Sequence, residues 1–126
     1  MTKPMTALPL VEQRTYTLAV GQTGAYFKLY EAEGLPVQLP ILEHLVGYFS
    51  VEAGPLNTVT HLWAFASHDD RDARRARLQA DPGWQAYWAK ARLLIIGQQS
   101  HFLKPAPFFA PRLPPMLAAV RRLDNL

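Results

Sequence analysis

The chain has 126 residues, 49% of them hydrophobic, a formal net charge of +3 and no cysteine. That length and apolar content suit one cored domain and are too small for two. The missing cysteines exclude disulfides, thiolate metal sites and a cysteine nucleophile. No apolar run approaches the ~18 residues of a membrane span, and a small positive charge without a coherent basic face gives no reason to expect nucleic acid as a partner.

The segment from Met1 to Leu10 has one Lys, two prolines and no long apolar core, so it does not read as a signal peptide; a cytoplasmic protein is expected. Val11 to Val20 reads as a strand, with Glu12, Arg14, Tyr16 and Leu18 on one face and Val11, Gln13, Thr15 and Thr17 on the other. Gly21 to Gly24 breaks it, and Thr23 is a candidate N-cap for a helix carrying Tyr26, Leu29, Tyr30 and Glu33. Gly34 followed by Leu35-Pro36 reads as a helix stop, and Val37 to Glu43, interrupted by Pro40, as an irregular or short helical connection.

The most informative stretch comes next. His44 to Ala53 and Thr58 to Ser67 are rich in β-branched and aromatic residues, with Gly54, Pro55 and Asn57 between them: a hairpin. Ser67 with Asp70 resembles a capping box, and Asp70 and Arg74 stand four apart as an ion pair would. Asp81-Pro82 restarts the helix as N-cap and first residue. Trp84, Tyr87, Trp88, Ala91, Leu94 and Ile95 form an apolar stripe, more simply core than a stacking platform, and Gly97 ends it. Gln98 to Lys104 is a fourth strand. Beyond it, Pro105, Pro107, Pro111, Pro114 and Pro115 make an extended arm bearing Phe108 and Phe109, with Met116 to Leu123 as a short closing helix.

The order β-α-β-β-α-β predicts an α+β, ferredoxin-like four-stranded antiparallel sheet with the helices on one face. The expected strand order is 4-1-3-2, with the central pair parallel. Three segments are expected: 1–9 as an N-terminal piece, 10–104 as the ferredoxin-like domain and 105–126 as the arm.

Gly47-Tyr48-Phe49, Gly54-Pro55-Leu56-Asn57, His61-Leu62-Trp63, Asp70-Arg71, Arg74-Arg75-Ala76 and Asp81-Pro82-Gly83-Trp84 together resemble the NIPSNAP family. Glu12-Gln13-Arg14-Thr15-Tyr16 is similar to that family's first strand, where Leu is commoner in place of Gln13. The likeness spans roughly residues 10 to 105, most of the chain, and leaves the proline-rich tail outside it. It implies a dimeric α/β barrel, in which two such sheets face each other across a twofold axis. It transfers no catalytic residue, because the family has no agreed catalytic motif. Barrels of this kind serve monooxygenases, isomerases, haem proteins and binding modules alike.

With both helices on one face, the other must be polar or covered. Small Ala64 and Ala66 beside Leu62 suggest close helix packing, which would leave His61, Trp63 and Phe65 on the bare face. A bare face with Trp and Phe seeks a partner, here a second copy of the chain. Glu12, Arg14, Tyr16, Tyr48 and Ser50 are expected to share it. Glu12, Arg14, Tyr16, Tyr48, His61, Trp63 and Phe65 then become candidate ligand-binding residues: apolar walls with a carboxylate, a guanidinium and an imidazole. In that pocket His61 would act as a base oriented by Glu12, with Arg14 holding an anion. The plainer alternative is a structural ion pair and a hydrogen-bonded core histidine.

No metal site is expected. His44, His61, His68 and His101 lack ligand spacing, and His61 and His101 lie on strands ~9–10 Å apart. Haem held by one histidine stays open. The arginines between Arg71 and Arg77, interleaved with Asp69, Asp70 and Asp72, read as a self-paired solvated face with a structural role for Arg71. The first reading of function is a homodimeric binding module for a small hydrophobic ligand, its pocket between sheet and helices or inside the dimer barrel, with no cofactor. A cofactor-poor barrel enzyme of monooxygenase or isomerase type, and a scaffold holding a protein through Phe108 and Phe109, are the alternatives.

Overall fold

The computed structural model of the chain describes residues 5–123, with side chains through residue 118. Residues 1–4 of the N-terminal segment, residues 124–126 of the arm and the side chain of Leu123 lie outside the described residues.

Four strands, β1 (Leu10–Leu18), β2 (Leu45–Ser50), β3 (Thr58–Phe65) and β4 (Ile95–Leu103), form one sheet in the order β2-β3-β1-β4. All neighbouring pairs are antiparallel, the central β1·β3 pair included. The expected parallel centre is therefore wrong. A crossover returns the chain parallel to β1 as β2, and the hairpin then reverses it, so β3 must run against β1. The hairpin turn uses Gly54 at φ +115 and Asn57 at φ 58, a region those two residue types enter most readily. Asn57 also ties the loop to the end of β1: its Oδ1 accepts from Gly21 N at 3.0 Å, and its carbonyl accepts from Leu18 N at 2.7 Å.

The first crossover is longer than the sequence pattern suggests. Helix α1 (Thr23–Leu29) runs through a π-helical turn (Tyr30–Gly34) into α2 (Leu35–Leu42). Gly34 is thus not a stop. Pro36 falls in the first turn of α2, where its missing N–H costs nothing, and the widened turn absorbs the break. A Cβ on Gly34 would lie 2.7 Å from the Tyr30 ring and 2.8 Å from that of Tyr87, so glycine is needed there for close approach. Gln22, not Thr23, occupies the N-cap position.

The second crossover is α3 (His68–Ala80) and α4 (Pro82–Ala91). Ser67 Oγ accepts from Asp70 N at 3.0 Å, and Asp70 Oδ2 accepts from Ala66 N at 3.0 Å. Asp70 also holds Arg74 at 2.9 Å, and Asp81 Oδ1 caps α4 at Trp84 N, 3.1 Å. The helix ends at Ala91 rather than Gly97. A short turn delivers Ile95 into β4, and Gly97 lies opposite Thr17 inside the sheet.

The core lies between the helices and the sheet. Tyr16, Leu18, Val59, Trp63 and Phe65 from the strands meet Tyr26, Tyr30, Leu42, Leu78, Trp84, Tyr87 and Ala91 from the helices. The face carrying His61, Trp63 and Phe65 is therefore beneath the helices, the reverse of the expected arrangement. The helices pack by interleaving aromatic rings and need no small residues below them. Ala64 is small for another reason. On the opposite face it lies with Val11 and Leu8 under Leu113 and Leu117 of α5 (Leu113–Leu123), so the end of the arm folds back onto its own sheet. No helix among the described residues is long and apolar enough to cross a membrane.

Candidate functional site

The alternation of β1 and β3 places Glu12 opposite Trp63, Arg14 opposite His61 and Tyr16 opposite Val59, with Tyr48 of β2 beside His61. The seven candidate residues share one face, as their strand phase implies. They divide into three groups.

Tyr48, His61, Trp63 and Phe65 belong to the packed interior. Tyr48 stacks on the His61 ring, with centroids 4.6 Å apart, and Tyr48 Oη lies 2.6 Å from Tyr26 Oη. Trp63 Nε1 donates to His61 Nδ1 at 2.8 Å. An indole nitrogen can only donate, so Nδ1 is unprotonated and its lone pair is occupied. Nε2 carries the proton and has no hydrogen-bond partner among the described residues. Burial, reinforced by the Arg14 and Arg75 charges, pulls the imidazole down to about 3. A neutral ring whose basic nitrogen is engaged is not a general base, and Trp63, not Glu12, orients it.

Glu12 is fully occupied. Arg71 grips it with two bonds, Nε to Oε1 at 3.0 Å and Nη2 to Oε2 at 2.9 Å. Arg14 Nη1 adds a third at 3.0 Å and Ser100 Oγ a fourth at 2.6 Å. Burial alone would raise this carboxyl; the hydrogen bonds from Arg71 and Ser100 and the charges of Arg14 and Arg71 outweigh it and hold it at about 2. The family-like Arg71 thus locks α3 to β1 through a carboxylate only 1% exposed.

Arg14 and Tyr16 reach a cavity. About 130 Å³ is lined by Arg14 and Tyr16 of β1, Gln98 of β4, Arg75 and Gln79 of α3, and Trp84 and Trp88 of α4. Each helix contributes a pair four residues apart, the spacing that aligns side chains on one face. The two indoles are near parallel, 16° apart with centroids at 6.2 Å. Arg75 is the residue that sequence reasoning missed. The interleaved acids predict a self-paired face, yet among the described residues that pairing joins Arg74 to Asp70 and Arg71 to Asp72 and leaves out Arg75. The available signal was that positions four before and four after Arg75 are Arg71 and Gln79, with no carboxylate. A larger groove of about 550 Å³ runs past Met5, His44, Asp70, Arg74 and Ala118, against the limits of the described side chains.

No three His, Asp or Glu side chains converge as metal ligands among the described residues. His101 pairs with Gln13 and His61 with Arg14, so those two imidazoles lie on opposite faces of the sheet.

The NIPSNAP family model matches residues 11–110. A NipSnap homologue of Dictyostelium discoideum is 33% identical over 97 residues, which is 75% of this chain and 41% of that protein. A NipSnap protein of Caenorhabditis elegans is 38% identical over 63 residues, half of this chain and 12% of its own length. The chain therefore spans less than half the length of these curated relatives. A solved NIPSNAP family protein of Agrobacterium tumefaciens superposes with a TM-score of 0.80 at 38% identity, covering 88% of this chain and 96% of its own. A second from that organism, described as of unknown function, gives 0.79 at 47% identity, covering 81% and 92%. With the family pattern matched across the whole sheet and both crossovers, this chain belongs to the NIPSNAP family.

Proposed function

We propose that the protein is a homodimeric binding module that takes a small molecule between its sheet and helices. The observation that carries this reading is the cavity walled by Trp84, Trp88 and Tyr16 with Arg14, Arg75, Gln79 and Gln98 around it. Apolar walls with a few convergent polar groups are the usual makeup of a ligand site. At about 130 Å³ it suits a single ring; an apolar cavity of about 150 Å³ accepts benzene. A reaction is not part of the reading, because the one imidazole on this face has its basic nitrogen engaged.

Pairing with a second copy rests on the sheet face away from the helices. There the described side chains of α5 lie over Val11 and Ala64, while Phe49 stays 59% exposed and Leu103 40% exposed. Tryptophan emission and thermal melting, followed against a panel of single-ring compounds, test the ligand. Saturable changes at one site per chain are expected, and a panel without one would remove the reading. Sedimentation tests the pairing: a dimer at micromolar concentration is expected, converted to monomer by Phe49→Asp. A folded wild-type monomer would remove that half.

A further inference from the structure

We propose that the cavity selects a ring-bearing carboxylate, its anionic head held by Arg75 together with Arg14. This inference rests on the binding reading above and names the class of ligand.

The argument is one of charge. Three guanidinium groups, Arg14, Arg71 and Arg75, surround a single buried carboxylate, Glu12. Every bond Glu12 accepts comes from Arg14, Arg71 or Ser100, and both its oxygens are in use. Asp72 engages Arg71 on the outside of the helix. Arg75 donates to no acceptor among the described residues, although it lies on the inward face of α3 with Arg71 and Leu78. A partly desolvated charge without a partner gains from a counter-charge brought beside it. Burial and the neighbouring Arg14 both disfavour the Arg75 cation, which is the imbalance an incoming anion relieves.

The shape of the site selects among anions. Trp84 and Trp88 form an aromatic wall on one side, and Arg75 is one helical turn from Gln79 on the other. Guanidinium groups match a planar carboxylate, and indoles match a ring. Arg14 is already bonded to Glu12 through Nη1 and lies against Tyr16, so it supplies charge from a fixed position, 14% exposed. Arg75 remains the group with free donors. Gln98 of the edge strand β4 and Gln79 of α3, both on the cavity lining, are exposed.

The test uses the full chain with benzoate as the anionic probe, benzamide as its neutral isostere and inorganic phosphate as an anion without a ring. Binding is read by tryptophan emission and by the rise in melting temperature that ligand binding to the folded state must cause. Benzoate is expected to bind at least tenfold more tightly than benzamide or phosphate. Arg75→Gln is expected to abolish that preference, and its ligand-free melting temperature is expected to stay or rise. The wild-type comparison of the three probes decides the question even if the variant fails to fold. Equal binding of benzoate and benzamide overturns the carboxylate inference and leaves the binding module standing. Phosphate binding as tightly as benzoate overturns the ring requirement, and with it the inference. Failure of all three to bind overturns this inference, while the panel of single-ring compounds decides the binding reading separately.

Discussion

Glu12 and His61 sit on the same face, and Arg14 lowers both, which keeps the carboxylate charged and the imidazole neutral. Both carry a pH signature of folding. Glu12 is held at about 2 against an ordinary 4.5, so its stabilisation is complete above pH 4.5 and is lost as the pH falls toward 2. His61 is held at about 3 against 6.5. Below pH 6.5 the unfolded imidazole takes a proton that the folded one refuses until about pH 3, so acid favours unfolding through that window. Arg14 and Arg75 set this shift alongside burial, with Glu12 opposing it. His61→Gln keeps an acceptor for the Trp63 indole and removes the titration. The stability of wild type minus that of H61Q, from urea unfolding, is expected to fall steadily between pH 7 and pH 4.5. A difference independent of pH would show that His61 titrates in the folded chain as it does in the unfolded one.

The elements are fastened to one another at a few crowded points. Gly34, in the π turn between α1 and α2, lets the Tyr87 ring of α4 lie directly on the helix backbone. Gly34→Ala places a methyl within 3 Å of two rings that meet edge to face and are buried in the core, with little room to swing away. It is expected to cost about 1–3 kcal/mol, the usual penalty of overpacking. The two tryptophans of α4 are not equivalent. Trp84 is buried, whereas Trp88 is half-buried with one side on the cavity. Trp84→Ala is therefore expected to cost about 3–5 kcal/mol and Trp88→Ala distinctly less. Equal losses in chemical denaturation would mean that the cavity is packed shut.

At the scale of the whole molecule, the sheet is covered unequally. The helices cover one face apart from the cavity, and among the described residues α5 lies on the other through Leu113 and Leu117. Each of these buried leucines contributes roughly 1.5–3 kcal/mol. Truncation after Lys104 removes both and lays bare Val11, Ala64 and Leu8, so lower stability and aggregation are expected, measured by melting and light scattering. Unchanged melting and solubility would mean that α5 is not seated on the sheet in solution. Phe108, at 85% exposure, takes no part in this docking. Trp63→Asp places a charge in the centre of the subunit core, so it should unfold the chain outright rather than separate two copies.

Much of this architecture was legible in local chemistry. Ser67, Asp70, Asp81 and Pro82 mark helix starts because a cap acts within three residues, and the hairpin is written in Gly54 and Asn57, whose backbones take a left-handed turn. Period-two alternation likewise grouped Glu12, Arg14, Tyr16, Tyr48, His61, Trp63 and Phe65 on one face, because strand phase is a local property. Alternation does not say which face meets the helices, since that depends on how α1 to α4 interleave their rings with distant strands. Gly34 and Pro36 read locally as a stop, yet packing against Tyr87 carries the helix past them. Arg75 reads locally as one more charge on a polar helix. Only the fold turns it inward and brings it beside Arg14 and the α4 indoles, while Glu12, the one carboxylate nearby, is already held by two other arginines and a serine.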